Sequence, residues 1–151
     1  MTRLRASAGF MRNQLPAIGW AVVIFVGSSI PGKDIPDLGF RPQDKIAHII
    51  EFGILGFLLL RAFGYASRIV LRKHAAIWAG IFGIAWGILD EAHQLLVSGR
   101  CASAYDGIAD AAGVLVGLVV FLWLGRRGRL LVQGAQKGVQ EDECSERTVT
   151  G

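Results

Sequence analysis

Apolar positions along the chain fall into four runs, at residues 15–30, 44–63, 74–97 and 104–124, separated by short polar stretches. An α-helix needs roughly 20 apolar residues to cross a hydrocarbon layer about 30 Å thick, and three of the runs are that long. The first is short, and its basic approach and small residues at Gly27, Ser28 and Ser29 also suit a cleavable signal peptide. An uncleaved first helix is the preferred reading, because cleavage would leave three helices to work alone. Pro31, Pro36 and Pro42 mark the segment after it as a loop. A basic link follows at 64–73 and a six-residue polar link at 98–103. The pattern predicts an all-α membrane protein, a four-transmembrane-helix bundle over residues 15–125. Residues 1–14 form a basic N-terminus, and 126–151 a polar tail with acids at 141–146 that reads as unstructured.

Composition agrees with that class. The chain of 151 residues is 52% hydrophobic with a mean hydropathy of +0.45, more apolar than a soluble domain of this length needs. The net charge of +4 is distributed as membrane topology requires rather than as a nucleic-acid-binding face, and no nucleic-acid motif is present. Of the 16 Lys and Arg, only Lys33, Arg41, Lys45 and Arg100 lie in the first and third loops. The remainder flank the other ends of the helices, so both termini are expected in the cytoplasm, with the first and third loops outside. Cys101 and Cys144 then fall on opposite sides of the membrane and are read as free thiols. Trp residues near run ends suit interfacial anchors.

The polar residues inside the runs gather at the outer ends. Asp44, His48 and Glu51 are spaced i, i+4, i+7 on one face of the second helix, with Glu51 about 10 Å deeper than Asp44. Asp90 and Glu91 close the third helix. They cannot share a face, and Glu91 with Gln94 (i, i+3) is the favoured inward pair. His93 lies off that face and is expected to be interfacial. Asp106 and Asp110 open the fourth helix. Asp106 suits a capping role at the positive helix end, whereas Asp110 is deeper and needs a cation, a proton or a partner. The stripe continues as Gly113 and Gly117, a spacing that lets helix backbones approach closely. Charges this costly in lipid are expected to sit at a surface or to pair, and here one outward-facing polar pocket accommodates them.

Each member carries a specific expectation. His48 is a candidate general acid/base, since a carboxylate neighbour fixes its tautomer, or else a structural link between helices. Arg100 can clasp Asp90 or Asp106, grip an anionic headgroup with its planar fork, or sit in solvent. His48, Glu51, Glu91 and Asp110 have the chemistry to hold a divalent ion, but no HExxH-type spacing marks zinc, and neither metal nor cofactor is assigned. No nucleophile elbow or phosphate-cradling glycine loop is present.

Four pieces in order carry a family resemblance: Ser28-Ser29-Ile30-Pro31; Asp44-Lys45-Ile46-Ala47-His48 with Glu51; Asp90-Glu91-Ala92-His93-Gln94; and Gly99-Arg100 with Ser103 and Asp106. Together they resemble the VanZ-like family, from about Ser28 to Gly117. Asp110 stands where the family pattern has Asn, which adds a negative charge to the pocket. Cys101-Ala102 replaces a more glycine-like stretch. The resemblance implies a small integral membrane protein of the bacterial plasma membrane, in a family named for a member associated with resistance to the glycopeptide teicoplanin.

Three functions follow as expectations. In the first, Asp44, His48, Glu51, Asp90, Glu91, Gln94, Arg100, Ser103, Asp106 and Asp110 line a pocket for an amphiphile, a membrane lipid or a lipid-linked cell-wall precursor. In the second, a membrane-embedded hydrolase or transferase uses His48 as acid/base, Glu51 as its orienter and Arg100 as charge clamp, with Glu91 completing the set. In the third, an ion-coupled transporter, the carboxylates form the ion path. That reading ranks last, because no polar relay reaches the cytoplasmic half.

Overall fold

The computed structural model describes residues 11–31, 43–100 and 102–149; the first loop and Cys101, on which two of the expectations above fall, lie outside them. Among the described residues the chain is all helical. Helix α1 spans Leu15–Ser28 after a helical turn at 11–13, with Pro16 in its first turn, where a missing N–H costs nothing. It ends where the Ser28 and Ser29 hydroxyls donate back to the Phe25 carbonyl at 3.1 and 2.6 Å. Helix α2 (Gln43–Gly64) carries Asp44 in its first turn and Arg61 in its last, both favourable to the helix dipole. The basic link folds into a single short helix, α3 (Ile69–Lys73), before α4 (Ala75–Gln94). Gly99, at φ 75°, turns the chain toward α5 (Ala104–Val149).

Among the described residues three segments are long and apolar enough to cross a membrane: Asp44–Gly64, Ala75–Gln94 and Ala104–Arg127. Four spanning runs were expected. The first run instead yields the 14-residue α1, about 21 Å long and shorter than a hydrocarbon layer. The tail differs as well. Its backbone continues α5 to Val149 where composition suggested no structure. Its residues include helix formers and no proline, so it extends a helix already nucleated. The chain divides into two compact units, Met1–Val119 and Val120–Gly151. In the second, the Arg127 guanidinium lies 4.0 Å over the Trp123 ring.

The first unit exposes aliphatic side chains and buries polar ones beside its apolar core of Phe52, Leu55 and Val114. Ile50, Ile54, Ile77, Ile81, Ile88, Leu115, Val116 and Val119 are exposed, while His48, Asp90, Gln94, Asp106 and Asp110 are buried. Water would not tolerate so continuous an aliphatic exterior, and lipid requires it. Helices α1 and α2 run antiparallel. Gln14 and Arg61 tie one end through the Ala62 and Arg12 carbonyls, and Trp20 Nε1 donates to the Glu51 carbonyl at 2.9 Å midway. Against α5, the backbone of α2 is nearly in contact. A Cβ on Gly113 would lie 2.5 Å from the Ile49 carbonyl oxygen, one on Gly56 equally close to the Val114 oxygen, and one on Gly117 2.8 Å from the Phe57 nitrogen. Gly83 and Gly87 let α4 close on Val114 and Asp110 in the same way. The small-residue stripe therefore fixes the depth at which α2, α4 and α5 meet.

Candidate functional site

The N-termini of α2 and α5 and the C-terminus of α4 meet at one end of the bundle, and their ionisable side chains converge there. His48, 6% exposed, points from α2 to Asp110 on α5, which is 1% exposed. Its Nδ1 lies 2.8 Å from Asp110 Oδ1. A carboxylate only accepts, so Nδ1 carries the proton and Nε2 faces outward, 4.0 Å from Asp44 Oδ1. One turn outward on α5, Asp106 accepts from Lys45 Nζ at 2.6 Å. Asp110 is sealed by α4, whose Gly87 approaches so closely that a Cβ there would lie 3.0 Å from the Asp110 Cβ.

Glu91 enters from α4. Its Oε2 accepts the Ser103 backbone N–H at 2.8 Å, tying the end of α4 to the start of α5, where Ser103 Oγ in turn accepts the Tyr105 N–H. Two overlapping triads result: Asp44, His48 and Asp106, and His48, Glu91 and Asp110. Within each, one candidate ligand atom per residue lies within 4.8 Å of the others. Among the described residues acceptors outnumber donors, and Asp110 Oδ2 and Glu91 Oε1 are buried with no hydrogen-bond partner. Buried acceptors of this kind are rare enough in folded proteins to require an explanation.

The structure thus brings Asp44, His48, Glu91, Ser103, Asp106 and Asp110 into one cluster. Three expectations need correction. Gln94 donates to Asp90 Oδ2 at 2.9 Å rather than pairing with Glu91, so Asp90 and Gln94 form a separate buried pair on α4. Glu51 is exposed and makes no hydrogen bond among the described residues; only its backbone carbonyl is engaged, by Trp20. It does not orient His48. Arg100 clasps no carboxylate among the described residues. Its Nε donates to the Ile30 carbonyl at 3.1 Å and its Nη2 to the Gly27 carbonyl at 3.2 Å, capping α1. His93, off the pocket face as its spacing implied, lies 3.0 Å from Ser29 Oγ and packs on Phe25 with ring centroids 4.4 Å apart.

Lys45 was missed as a site residue, although it sits three residues before His48, on the same edge of α2. The α1 carbonyls that hold Arg100 have no residue-type signature and were out of reach. Away from the cluster, a cavity of about 470 Å³ is lined by apolar side chains including Leu55, Leu59, Phe63, Phe82 and Trp86, with Arg68 among them. No expected site residue lines it. The charged cluster, not this cavity, holds the chemistry. Neither a curated protein nor a solved structure matches the chain. A family model, described as VanZ/LLP1, matches residues 13–125.

Proposed function

Because this chain belongs to the VanZ/LLP1 family, we propose that it is an integral membrane protein of the bacterial cell envelope whose cluster receives the polar head of an amphiphile. In this reading α1 also traverses the membrane, both termini are cytoplasmic, and the cluster opens to the outer surface. The observation that carries it is that two of the three buried carboxylate oxygens without a partner among the described residues, Asp110 Oδ2 and Glu91 Oε1, lie beside His48 inside a lipid-compatible shell, Asp90 Oδ1 being the third. A bundle has no reason to bury such atoms unless something else completes them. An amphiphile fits the setting, because its tail stays in the surrounding lipid while its head enters the cluster. Lipid-linked cell-wall precursors and lipoglycopeptide antibiotics both have this form. Such binding gives the chain a route to teicoplanin-type resistance, the property for which the resembling family is named.

The test is teicoplanin susceptibility and lipid binding in a deletion strain complemented with wild type, Glu91→Gln or Asp110→Asn. Wild type restores both properties and the variants restore neither. Equal complementation by all three would refute the reading.

A second reading has one observation in its favour. The hydrogen bond from Nδ1 to Asp110 fixes the His48 tautomer and leaves Nε2 able to take a proton from water or a substrate hydroxyl, as general-base chemistry requires. The chain would then be a membrane-embedded hydrolase or transferase of a lipid-linked substrate. Lipid profiles of deletion and His48→Gln strains decide it: accumulation of one lipid in both supports catalysis, and unchanged profiles refute it.

A further inference from the structure

Three helices deliver Asp44, Glu91, Asp106 and Asp110 to one place, and the basic side chains paired with them among the described residues are Lys45, bound to Asp106, and His48. Arg100, the next guanidinium along the chain, is spent on the carbonyls of α1. An acid-rich pocket of this kind repels an anionic headgroup and leaves its own buried oxygens without donors.

We propose that His48, Glu91 and Asp110 form a binding site for one divalent first-row transition ion, of the Zn²⁺ or Mn²⁺ class. It rests on the pocket described above but not on any ligand assigned to it.

Three observations lead there. The first is proximity: one imidazole nitrogen and two carboxylate oxygens from three separate helices lie within 4.8 Å of one another. Coordination at 2.0–2.2 Å in a tetrahedral site places ligand atoms about 3.3 Å apart. The His48–Asp110 pair is already that close, at 2.8 Å, so the remaining adjustment falls to the unpaired Glu91 Oε1 while Oε2 stays on Ser103. The second is satisfaction: both carboxylates have a buried oxygen without a partner, Glu91 Oε1 and Asp110 Oδ2, and Asp110 is 1% exposed. The third is support around the ligands. Ser103 N–H holds the other Glu91 oxygen, and Gly87 brings the α4 backbone down on Asp110, which fixes both carboxylates as metal sites require.

The donor set selects the ion. An imidazole with two carboxylates suits Zn²⁺ or Mn²⁺ better than Ca²⁺ or Mg²⁺, which take oxygen ligands and more of them. Two carboxylates balance the charge of the ion. On binding, the ion replaces the proton that His48 Nδ1 shares with Asp110, and that proton leaves to solvent. Three protein ligands leave a fourth position, which falls to water or to an oxygen of a phosphate-bearing head. A bound cation would thereby reverse the sign of the pocket.

The experiment uses the full chain, purified in detergent, with its metal content measured by mass spectrometry and, after chelation, titrated with Zn²⁺ alone and Mn²⁺ alone. One ion per chain is expected. Glu91→Gln is the informative variant, because its amide oxygen still accepts from Ser103 and its fold can be checked by circular dichroism. It should bind about tenfold or more weakly, whereas Asp90→Asn, outside the triad, should bind as wild type does. Absence of a stoichiometric ion from wild type, or equal affinity in wild type and Glu91→Gln, overturns the site. Binding of phosphatidylglycerol vesicles, measured with and without Zn²⁺, separates the two proposals: binding without any metal overturns the ion and leaves the amphiphile reading standing.

Discussion

Replacing Gly113 with alanine places a methyl group where α2 and α5 already touch. Its Cβ would lie 2.5 Å from the Ile49 carbonyl oxygen, 3.0 Å from Ile49 Cα and 3.1 Å from the Gly53 nitrogen, against 3.4 Å for ordinary contact. The obstacles are backbone atoms of a regular helix, so no side chain can swing aside. The two helices must part by about 1 Å, and overpacking of this kind costs about 1–3 kcal/mol, a reduction of roughly 5- to 150-fold in the folded-to-unfolded ratio. The strain also reaches the cluster. Asp110 lies one turn before Gly113 on α5, and its 2.8 Å bond to His48 bridges the same pair of helices. A parting of that size stretches the bond beyond useful length. The assay is unfolding in detergent followed by tryptophan fluorescence, with Gly19→Ala as control because nothing lies within 4 Å of a Cβ there. Gly113→Ala should unfold at clearly lower denaturant and Gly19→Ala at wild-type levels or above. Equal midpoints for wild type and both variants would refute the close approach of α2 and α5.

Two further outcomes follow from the hydrogen bonds at the same end. Lys45→Met leaves Asp106, 4% exposed, without its ion-pair partner; because Lys45 is itself half exposed, the variant should be less stable than wild type, but by less than the loss of a fully buried pair would make it. Lys45→Met/Asp106→Asn should recover most of that stability, and a double variant no more stable than the single would exclude the pairing. Arg100→Ala frees the Gly27 and Ile30 carbonyls, so amide exchange at 25–30 should accelerate while that of α2 does not change. Arg100→Lys should rescue only in part, since one ammonium does not reproduce a two-point fork; full rescue would show that charge alone matters.

Helical spacing in the sequence determined which side chains share a face, and that was enough to gather Asp44, His48, Asp106 and Asp110. It did not determine how far each helix is rotated about its axis. Glu51 follows His48 by three residues, 60° around α2, and that arc is enough to carry it from the buried seam to an exposed edge while His48 meets Asp110. The same uncertainty decided Gln94. It is one turn from Asp90 and nearly as close to Glu91, and the rotation of α4 gives it to Asp90. Arg100 was misassigned for a different reason. Its partners are main-chain oxygens at the end of α1, which every residue has, so no residue type announces them. The glycine stripe was legible because only hydrogen side chains allow backbones so close, and Gly113 and Gly117 lie where that closeness occurs. The shortness of α1 was legible in its apolar run, and Ser28 and Ser29 end the helix by hydrogen bonding to their own backbone.

The seam between α2 and α5 has an electrical consequence. Where the oxygen of Ile49 meets Gly113 there is no space for a methyl group, and a water molecule needs about as much room. No file of waters threads this joint, so protons cannot hop along it from the charged end toward the other face. A membrane that stores a voltage can hold buried acids at one end of such a bundle without discharging itself through that contact.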